Sequence, residues 1–330
     1  KNKRENSRLY TAVKGISDFA CELGLNIPTG KDSLSMVQKY KDEVVYSPGT
    51  VIITAVGEIS NIKSIVEPVI QPFKDSSLLY IDFSDDNYEL GGSTFAQVVN
   101  SIGAKAPGII DATKFAKTFD YVQSLISNGD ILSGHDISAG GMVTTLLEMT
   151  FATNDIGLDI DLGPICSAQK NGANDLNILF SEKSGIIIQV ENSKLNEIKS
   201  GLSNIGTTHF EIGAITEKRT VELKTTNQQL SLDIDSYRDT WFETSYLLDK
   251  KQTEPELAAE RFENYQNHSL DYKFPTDFKG SYAKLGLDPN RKTGNGPKAA
   301  IIREKGVNGD REMAYALHLA GFDVKDVHMT

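Results

Sequence analysis

Apolar side chains recur at helical spacing in several stretches of the chain. Near its start, Leu9, Val13, Ile16 and Ala20 fall on one face, which predicts a helix over residues 7–22. Three later stretches show the same period. Their apolar sets are Phe115, Phe119, Val122 and Ile126; Val143, Leu146, Leu147 and Phe151; and Leu195, Ile198 and Leu202. Each set is expected to turn one helix face toward a core.

Short apolar runs between these helices predict β-strands. They lie at residues 51–59, 78–83, 185–190, 210–215, 221–223 and 230–234, and the last two indicate a hairpin around Asn227. Strands and helices alternate across residues 75–235, so this region is predicted to form one α/β unit.

Residues 297–330 repeat that alternation on a smaller scale. An apolar run at 299–302 is followed by a polar, glycine-punctuated loop, a helix that Asp310 can cap, and a second apolar run at 322–327. This order predicts the first β-α-β step of a parallel sheet. Parallel sheets are covered on both faces, so we expect the segment to begin a domain that continues beyond this chain.

Changes in composition separate these regions. Two prolines within residues 68–72 indicate a boundary. Trp241 is expected in a short helix and Pro255 at the start of an acidic one, while residues 273–296 are polar without a clear period. These signals predict four regions: an N-terminal region at 1–72, the α/β unit at 73–235, a connector at 236–296, and the start of a further domain at 297–330.

Composition and charge exclude several classes of function. The 330 residues are 39% hydrophobic and carry a net charge of −11, which argues against a nucleic-acid partner, because phosphate binding needs a basic face. No apolar run reaches membrane-spanning length, so no membrane partner is expected. The two cysteines, Cys21 and Cys166, form neither a disulfide framework nor a metal-binding pair. A cytoplasmic location is therefore expected.

The segment SGHDISAGG, residues 133–141, is the strongest candidate for chemistry. Asp136 and Ser138 lie in a tight turn, and Gly140 and Gly141 allow the backbone to approach a ligand where a helix begins. A helix N-terminus favours a phosphate, and a nearby carboxylate can hold Mg²⁺. The alternative, which the pattern alone favours, is that Asp136 or Ser138 only caps the helix.

Three other segments are weaker candidates. Two of them could bind a phosphorylated substrate, although polar, glycine-rich turns are also common without one. Their candidate residues are Lys31, Asp32 and Ser33 in GKDSLSM, and Gly91, Gly92 and Ser93 in LGGS. The third is FSEKSG, residues 180–185, where Glu182 precedes a buried strand and a structural hydrogen bond is the ordinary explanation.

The order of these segments is more specific than any one of them. Taken in this order, five segments of the chain resemble the large single-chain phosphoribosylformylglycinamidine synthases. The segments are GLNIPTGKDSLSM, LGGS, GHDISAGGMVTTLLEMTFA, FSEKSGIIIQV and AIIREKGVNGDREMAYALHLAGFDVKDVHMT. The last segment looks like the beginning of their fused glutaminase domain. The motif around Asp136 alone would indicate only a wider ATP-binding superfamily that includes aminoimidazole ribonucleotide synthetase.

The resemblance implies a fold and a reaction. The fold is α/β (α+β), with two aminoimidazole-ribonucleotide-synthetase-like subdomains from the second synthetase half, a connector and an incomplete β-α-β start of a glutaminase. The reaction is an ATP- and Mg²⁺-dependent ligation in which glutamine supplies ammonia to formylglycinamide ribonucleotide. The implied partners are small-molecule nucleotides and the rest of the same polypeptide, namely the first synthetase half and the glutaminase domain.

The resemblance also assigns roles to residues. Asp136 matches the family's metal-binding aspartate and Ser138 its nucleotide-contacting serine, with ATP or ADP and Mg²⁺ as ligands. Ala139 stands where the family usually has aspartate, and Lys183 and Ser184 replace the usual Glu-Leu. Neither cysteine can be the glutaminase nucleophile, since both precede residue 297. No catalytic residue, and no catalysis by the chain alone, is therefore expected.

Two other functions remain open at this stage. One is a stand-alone ATP-dependent synthetase of the same superfamily, which the GVNGDREMA segment argues against. The other is a non-catalytic module that only binds a nucleotide.

Overall fold

A seven-stranded β-sheet with helices packed on both faces forms the core of the first of two compact units, which ends at Phe262. The computed structural model describes residues 5–28, 30, 37–47, 49–57, 64–169, 174–267, 273, 276–277 and 282–329. Its strands are β1 (Val37–Tyr40), β2 (Glu43–Tyr46), β3 (Ser76–Asp82), β4 (Ser133–Asp136), β5 (Gly157–Asp161), β6 (Gly185–Glu191), β7 (His209–Thr216), β8 (Thr220–Lys224), β9 (Gln229–Asp233), β10 (Lys298–Arg303) and β11 (Asp323–His328). Its α-helices are α1 (Glu5–Leu23), α2 (Thr94–Val98), α3 (Ala112–Asn128), α4 (Gly141–Phe151), α5 (Gly163–Ala168), α6 (Asp175–Phe180), α7 (Asn192–Asn204), α8 (Ile234–Gln252), α9 (Pro255–Asn264) and α10 (Asp310–Leu319).

The order of strands in the large sheet is β4-β6-β3-β7-β5-β8-β9. Among these described neighbours β5 and β8 run parallel, and the other pairs are antiparallel. The predicted mixture of strands and helices across 75–235 is confirmed, including the hairpin of β8 and β9. Strands β4 and β5 were not predicted, because they are short and their glycine and aspartate residues break the apolar pattern.

The central strand β3 is buried along its whole length and contributes to two separate cores. Leu78 and Tyr80 pack in a cluster with residues of α4, α5 and α6. Leu79 and Ile81 point to the opposite face and pack with residues of α3 and α7. Alternate side chains of a strand face opposite sides, so one strand serves both helical layers. The sheet therefore fixes the positions of α3 and α4, the helices that flank the candidate site.

In the N-terminal region the predicted helix is confirmed and the predicted strand is wrong. Helix α1 covers the predicted 7–22 segment, and β1 pairs with β2 as an antiparallel hairpin that was not predicted. The strand predicted at 51–59 is wrong over residues 51–57, and residues 58–59 lie outside the described residues. Ile52 is 83% exposed and Val56 is 94% exposed. A strand requires a neighbouring strand, and none is paired with this segment in the described part of the chain.

The helix around Trp241 is longer than predicted. Helix α8 continues through 19 residues, and the Asp233 carboxylate accepts a hydrogen bond from the Ser236 N–H at its start. Ile234 and Arg238 are its buried residues. The apolar pattern did not show the full length of this helix, because one of its two buried residues is an arginine instead of an aliphatic residue. The domain boundaries at 72, 235 and 296 remain predictions.

A second compact unit begins at residue 263. Within it β10 and β11 pair in parallel, and α10 lies between them in the chain, which confirms the predicted β-α-β step. The predicted cap is wrong: Gly309 is the N-cap of α10, without a side-chain hydrogen bond, and Asp310 is the first helical residue. The positive φ of 87° at Gly309 explains why a glycine occupies the position.

Candidate functional site

Strand β4 ends at Asp136, on the edge of the sheet beside β6. The Asp136 side chain is 73% exposed and does not cap α4, whose N-cap is Gly140 without any side-chain hydrogen bond. Its main-chain oxygen accepts a hydrogen bond from the Thr145 hydroxyl, at 3.1 Å. The backbone at Asp136 is therefore fixed to α4, while the carboxylate points to solvent and remains available to a ligand.

His135 lies between Asp136 and helix α4. Its Nδ1 atom hydrogen-bonds the main-chain oxygen of Asp136 at 2.8 Å and lies 3.3 Å from the Asp136 carboxylate. A carbonyl oxygen can only accept, so Nδ1 carries a proton. On the other side of the ring, Nε2 lies 3.3 Å from an oxygen of Glu148. Both ring nitrogens thus lie beside oxygen atoms, and the Nδ1 hydrogen bond sets the orientation of the imidazole.

The two glycines at the start of α4 are required by the backbone. Gly140 has a φ of 89° and Gly141 a φ of 73°, in the left-handed region that favours glycine. A Cβ atom on Gly141 would lie 2.7 Å from the main chain of Phe180. Ser138 is half-buried, and its main-chain oxygen accepts a hydrogen bond from the Gly141 N–H at 3.0 Å. The SAGG turn is thus a compact entry into α4, packed against the end of α6.

Glu182 joins this turn to the LGGS turn. Its Oε1 atom accepts a hydrogen bond from the Gly140 N–H at 2.9 Å and another from the Thr94 N–H at 2.7 Å. Thr94 is the first residue of α2, so one carboxylate bridges the starts of two helices. Negative charge is favoured at helix N-termini. The structural hydrogen bond expected for Glu182 is therefore present, and it brings together two segments far apart in the sequence.

The LGGS residues have local roles in this arrangement. Gly91 packs against another segment, because a Cβ there would lie 2.1 Å from the main-chain oxygen of Lys105. Gly92 has a φ of 77°, and the Ser93 hydroxyl caps α2 by accepting from the Ala96 N–H. Substrate binding by Gly91, Gly92 and Ser93 remains a prediction. Lys31, Asp32 and Ser33 lie outside the described residues.

Behind Glu182 lies a buried ion pair that the sequence analysis did not identify. The Nζ atom of Lys183 is 2.6 Å from Oδ2 of Asp82, and both side chains are only 4% exposed. The other Asp82 oxygen accepts hydrogen bonds from the Ser84 and Asp85 N–H groups. Lys183 also lies over the ring of Tyr88, 4.4 Å from its centre. Burial, and then the Asp82 charge, raise the pKa of Tyr88 well above its ordinary value, so its hydroxyl stays protonated.

A largely apolar groove with a volume of about 430 Å³ adjoins Asp136. Phe115, Phe119 and Ile126 of α3 line it together with Ile186 of β6. Gln123, His135, Asp136 and Ser184 contribute the polar side chains of its lining. The groove combines apolar surface with one exposed carboxylate, an arrangement that suits a ligand with an aromatic part and a charged part.

Asp136 provides one of the oxygen donors that a Mg²⁺ site requires. Mg²⁺ usually takes one or two protein carboxylates and keeps several waters or phosphate oxygens. The exposed Asp136 carboxylate fits that role. Across the described residues, no group of three or more His, Cys, Asp or Glu side chains is placed to hold a metal. No helix among the described residues is long and apolar enough to cross a membrane.

Three family models match successive parts of the chain. They are an FGAR-AT PurM_N-like domain at residues 1–58, the C-terminal domain of AIR synthase related proteins at 85–225, and a CobB/CobQ-like glutamine amidotransferase domain at 296–330. A curated Arabidopsis thaliana protein, probable phosphoribosylformylglycinamidine synthase, chloroplastic/mitochondrial, is 35% identical over 98% of this chain. The chain is homologous to phosphoribosylformylglycinamidine synthase. It spans 22% of the length of the Arabidopsis synthase, and the resemblance predicted from the motifs is confirmed.

Two solved structures are less similar in sequence. Thermotoga maritima PurL complexed with ATP is 13% identical, with a TM-score of 0.46 over 68% of this chain and 34% of that protein. Escherichia coli HypE, a hydrogenase maturation protein, is 16% identical, with a TM-score of 0.32 over 49% of this chain and 50% of HypE. With these scores, neither structure supports an argument about the site of the synthase homologue.

Proposed function

We propose that the chain is part of a phosphoribosylformylglycinamidine synthase. The enzyme would convert formylglycinamide ribonucleotide, ATP and glutamine to formylglycinamidine ribonucleotide, ADP, phosphate and glutamate. The observation that carries this proposal is the 35% identity along 98% of the chain, with three domain models in consecutive order. The names of the relatives support a carbon–nitrogen ligase that uses ATP.

Within such an enzyme, the turn at residues 136–141 would bind a nucleotide. Asp136 offers an exposed carboxylate to Mg²⁺, while Ser138, Gly140 and Gly141 form the compact turn beside it that would lie against the nucleotide. The apolar groove beside Asp136 would accept the nucleoside. When bound, Mg²⁺ supplies positive charge that neutralises the phosphate oxygens. Ala139 contributes no second carboxylate, so Asp136 carries the metal contact of this turn alone.

Further residues and partners complete the proposal. Lys31, Asp32 and Ser33, together with Gly91, Gly92 and Ser93, are proposed to contact the phosphorylated substrate. The first synthetase half and the glutaminase domain of the same polypeptide would supply the catalytic groups. A cytoplasmic location is proposed on composition, whereas the name of the Arabidopsis relative places that protein in chloroplasts and mitochondria.

The proposal is tested with the full-length protein and a pair of variants. Asp136→Asn removes the metal ligand, and Asp159→Asn alters an exposed aspartate of β5 as the matched control. Equilibrium dialysis with Mg²⁺ and ADP should show about a tenfold or greater loss of affinity for Asp136→Asn only, the scale seen when metal sites are perturbed.

Activity is measured in the same preparations. The full-length protein should form the amidine from formylglycinamide ribonucleotide, ATP and either glutamine or ammonia. The isolated 330-residue chain should form none. A full-length protein that makes no amidine from either nitrogen source would show that the proposed reaction is wrong.

A further inference from the structure

Trp241 and the candidate metal ligand Asp136 lie at the two ends of one continuous chain of polar contacts. The Trp241 indole N–H donates to Oε1 of Glu148 at 2.9 Å. The second Glu148 oxygen lies 3.3 Å from His135 Nε2. The other ring nitrogen of His135, Nδ1, forms a hydrogen bond with the main-chain oxygen of Asp136. The contacts connect helix α8, helix α4 and strand β4.

The Trp241 end of this chain of contacts is firmly attached. Arg238 of α8 donates to the main-chain oxygen of Phe151, the last residue of α4, at 3.0 Å. Arg219 donates to the main-chain oxygen of Thr150 in α4 and also to Asp235 in α8. The Phe151 and Trp241 rings meet edge to face at 6.0 Å. Helix α8 is therefore fixed to the C-terminal end of α4, and Trp241 has a defined position from which to hold Glu148.

The middle of this chain of contacts is less exposed than its two ends, and at one end Trp241 is 49% exposed. The side chains of His135 and Glu148 are only 17% and 22% exposed, whereas Asp136 is 73% exposed. Partly buried polar contacts are stronger than exposed ones, because less water competes for them. The rigid part of the chain thus ends at the exposed carboxylate.

We propose that His135, Glu148 and Trp241 are positioning residues for the Asp136 carboxylate. Glu148 orients the His135 ring, His135 fixes the backbone and carboxylate of Asp136, and Trp241 holds Glu148 in place. Carboxylates that bind metals are commonly oriented by such outer partners. This inference rests on the proposed nucleotide and Mg²⁺ site and extends it to residues that do not touch the ligand.

The first test measures binding in the full-length protein. Glu148→Ala should weaken the affinity for Mg²⁺ with ADP about tenfold, by analogy with other outer partners of metal ligands. Glu148→Gln keeps an acceptor for the Trp241 N–H and should recover part of the affinity. Glu243→Ala, an exposed glutamate of α8, is the matched control and should bind as the unaltered protein does.

The second test needs no ligand. It is made on the 330-residue chain, in which Trp241 is the only tryptophan, so the fluorescence reports on the surroundings of its indole, which include Glu148. Glu148→Ala and His135→Asn should each shift its emission, whereas Glu243→Ala should not. In addition, the double variant His135→Asn/Trp241→Phe should lose less melting temperature than the two single variants lose together. Both substitutions break the same chain of contacts, so their effects should not add.

The outcomes distinguish the inference from the proposed function. If the unaltered full-length protein binds no Mg²⁺ with ADP, the nucleotide site and the positioning role are both wrong. If it binds, and Glu148→Ala leaves the affinity unchanged while lowering the melting temperature, only the positioning role is wrong. Additive melting temperatures and an unshifted emission would likewise overturn it.

Discussion

Replacing Glu182 with alanine tests how the two glycine turns are joined. The substitution removes the acceptor of the Gly140 and Thr94 N–H groups, which belong to the starts of α4 and α2. The SAGG and LGGS turns would then lose their only common side-chain contact among the described residues. We expect lower stability and a less ordered entry into α4.

The size of the effect follows from the exposure of the two donors. A hydrogen bond to a charged acceptor contributes about 1.5–3 kcal/mol. Thr94 is exposed, so water replaces the carboxylate there at little cost, whereas the Gly140 contact is partly buried. The expected loss is therefore about 2 kcal/mol, mostly from Gly140. For a folded unit of this size, that loss lowers the melting temperature by about 4–8 °C.

Calorimetry and urea unfolding of three variants provide the assay. Glu182→Gln keeps one oxygen acceptor but loses the charge, and should lose about half as much stability as Glu182→Ala. Glu197→Ala in α7 is the control, because its side chain is 78% exposed and its ion pair with Lys194 is long, at 3.8 Å. If Glu182→Ala is no more destabilising than Glu197→Ala, the bridging role is refuted.

Three further outcomes are expected from other parts of the same region. Lys183→Met leaves Asp82 charged and buried, so unfolding experiments should show a loss of about 3–5 kcal/mol, and adding Asp82→Asn should restore part of it. Gly141→Ala should destabilise the protein more than Gly129→Ala in thermal unfolding, since both have φ near 75° but a Cβ clashes with main chain only at Gly141. Tyr88 keeps its proton in the folded protein at a pH where an unfolded tyrosine loses it. Its contribution to the free energy of unfolding is therefore complete below about pH 10 and falls above it. Ultraviolet titration follows the loss of the proton, and urea unfolding at several pH values follows the loss of stability.

The sequence predicted best those elements whose apolar period is regular. The helices α1, α3, α4 and α7 and the step from β10 to β11 all follow from spacing alone. The strand predicted at 51–59 shows the limit of that reasoning, because an apolar run becomes a strand only when another strand pairs with it. Helix α8 was underestimated for a related reason: its buried surface includes Arg238, whose aliphatic stem packs although its head is charged.

Within the candidate site, local motifs were recognised but their connections were not. The turn at Asp136, Gly140 and Gly141 stood out in the sequence as the start of a helix, and both glycines have a left-handed backbone. Two connections were missed: Glu182 bridges the starts of two helices, and Lys183 is buried against Asp82. Both join residues that are far apart in the chain, so no local pattern indicates them. A lysine beside a buried strand was the one available signal, since lysine is rarely buried without a partner.

The central strand β3 makes the two halves of the core depend on each other. Leu78 and Tyr80 belong to one layer, and Leu79 and Ile81 belong to the other. A shift of register by a single residue would exchange the two sets, so both layers enforce the same alignment of the strand. A slip of β3 that suited one layer would therefore misplace the side chains of the other. A displacement of β3 beneath α3 and the groove is consequently resisted from the far side of the sheet, by α4 and the helices packed with it.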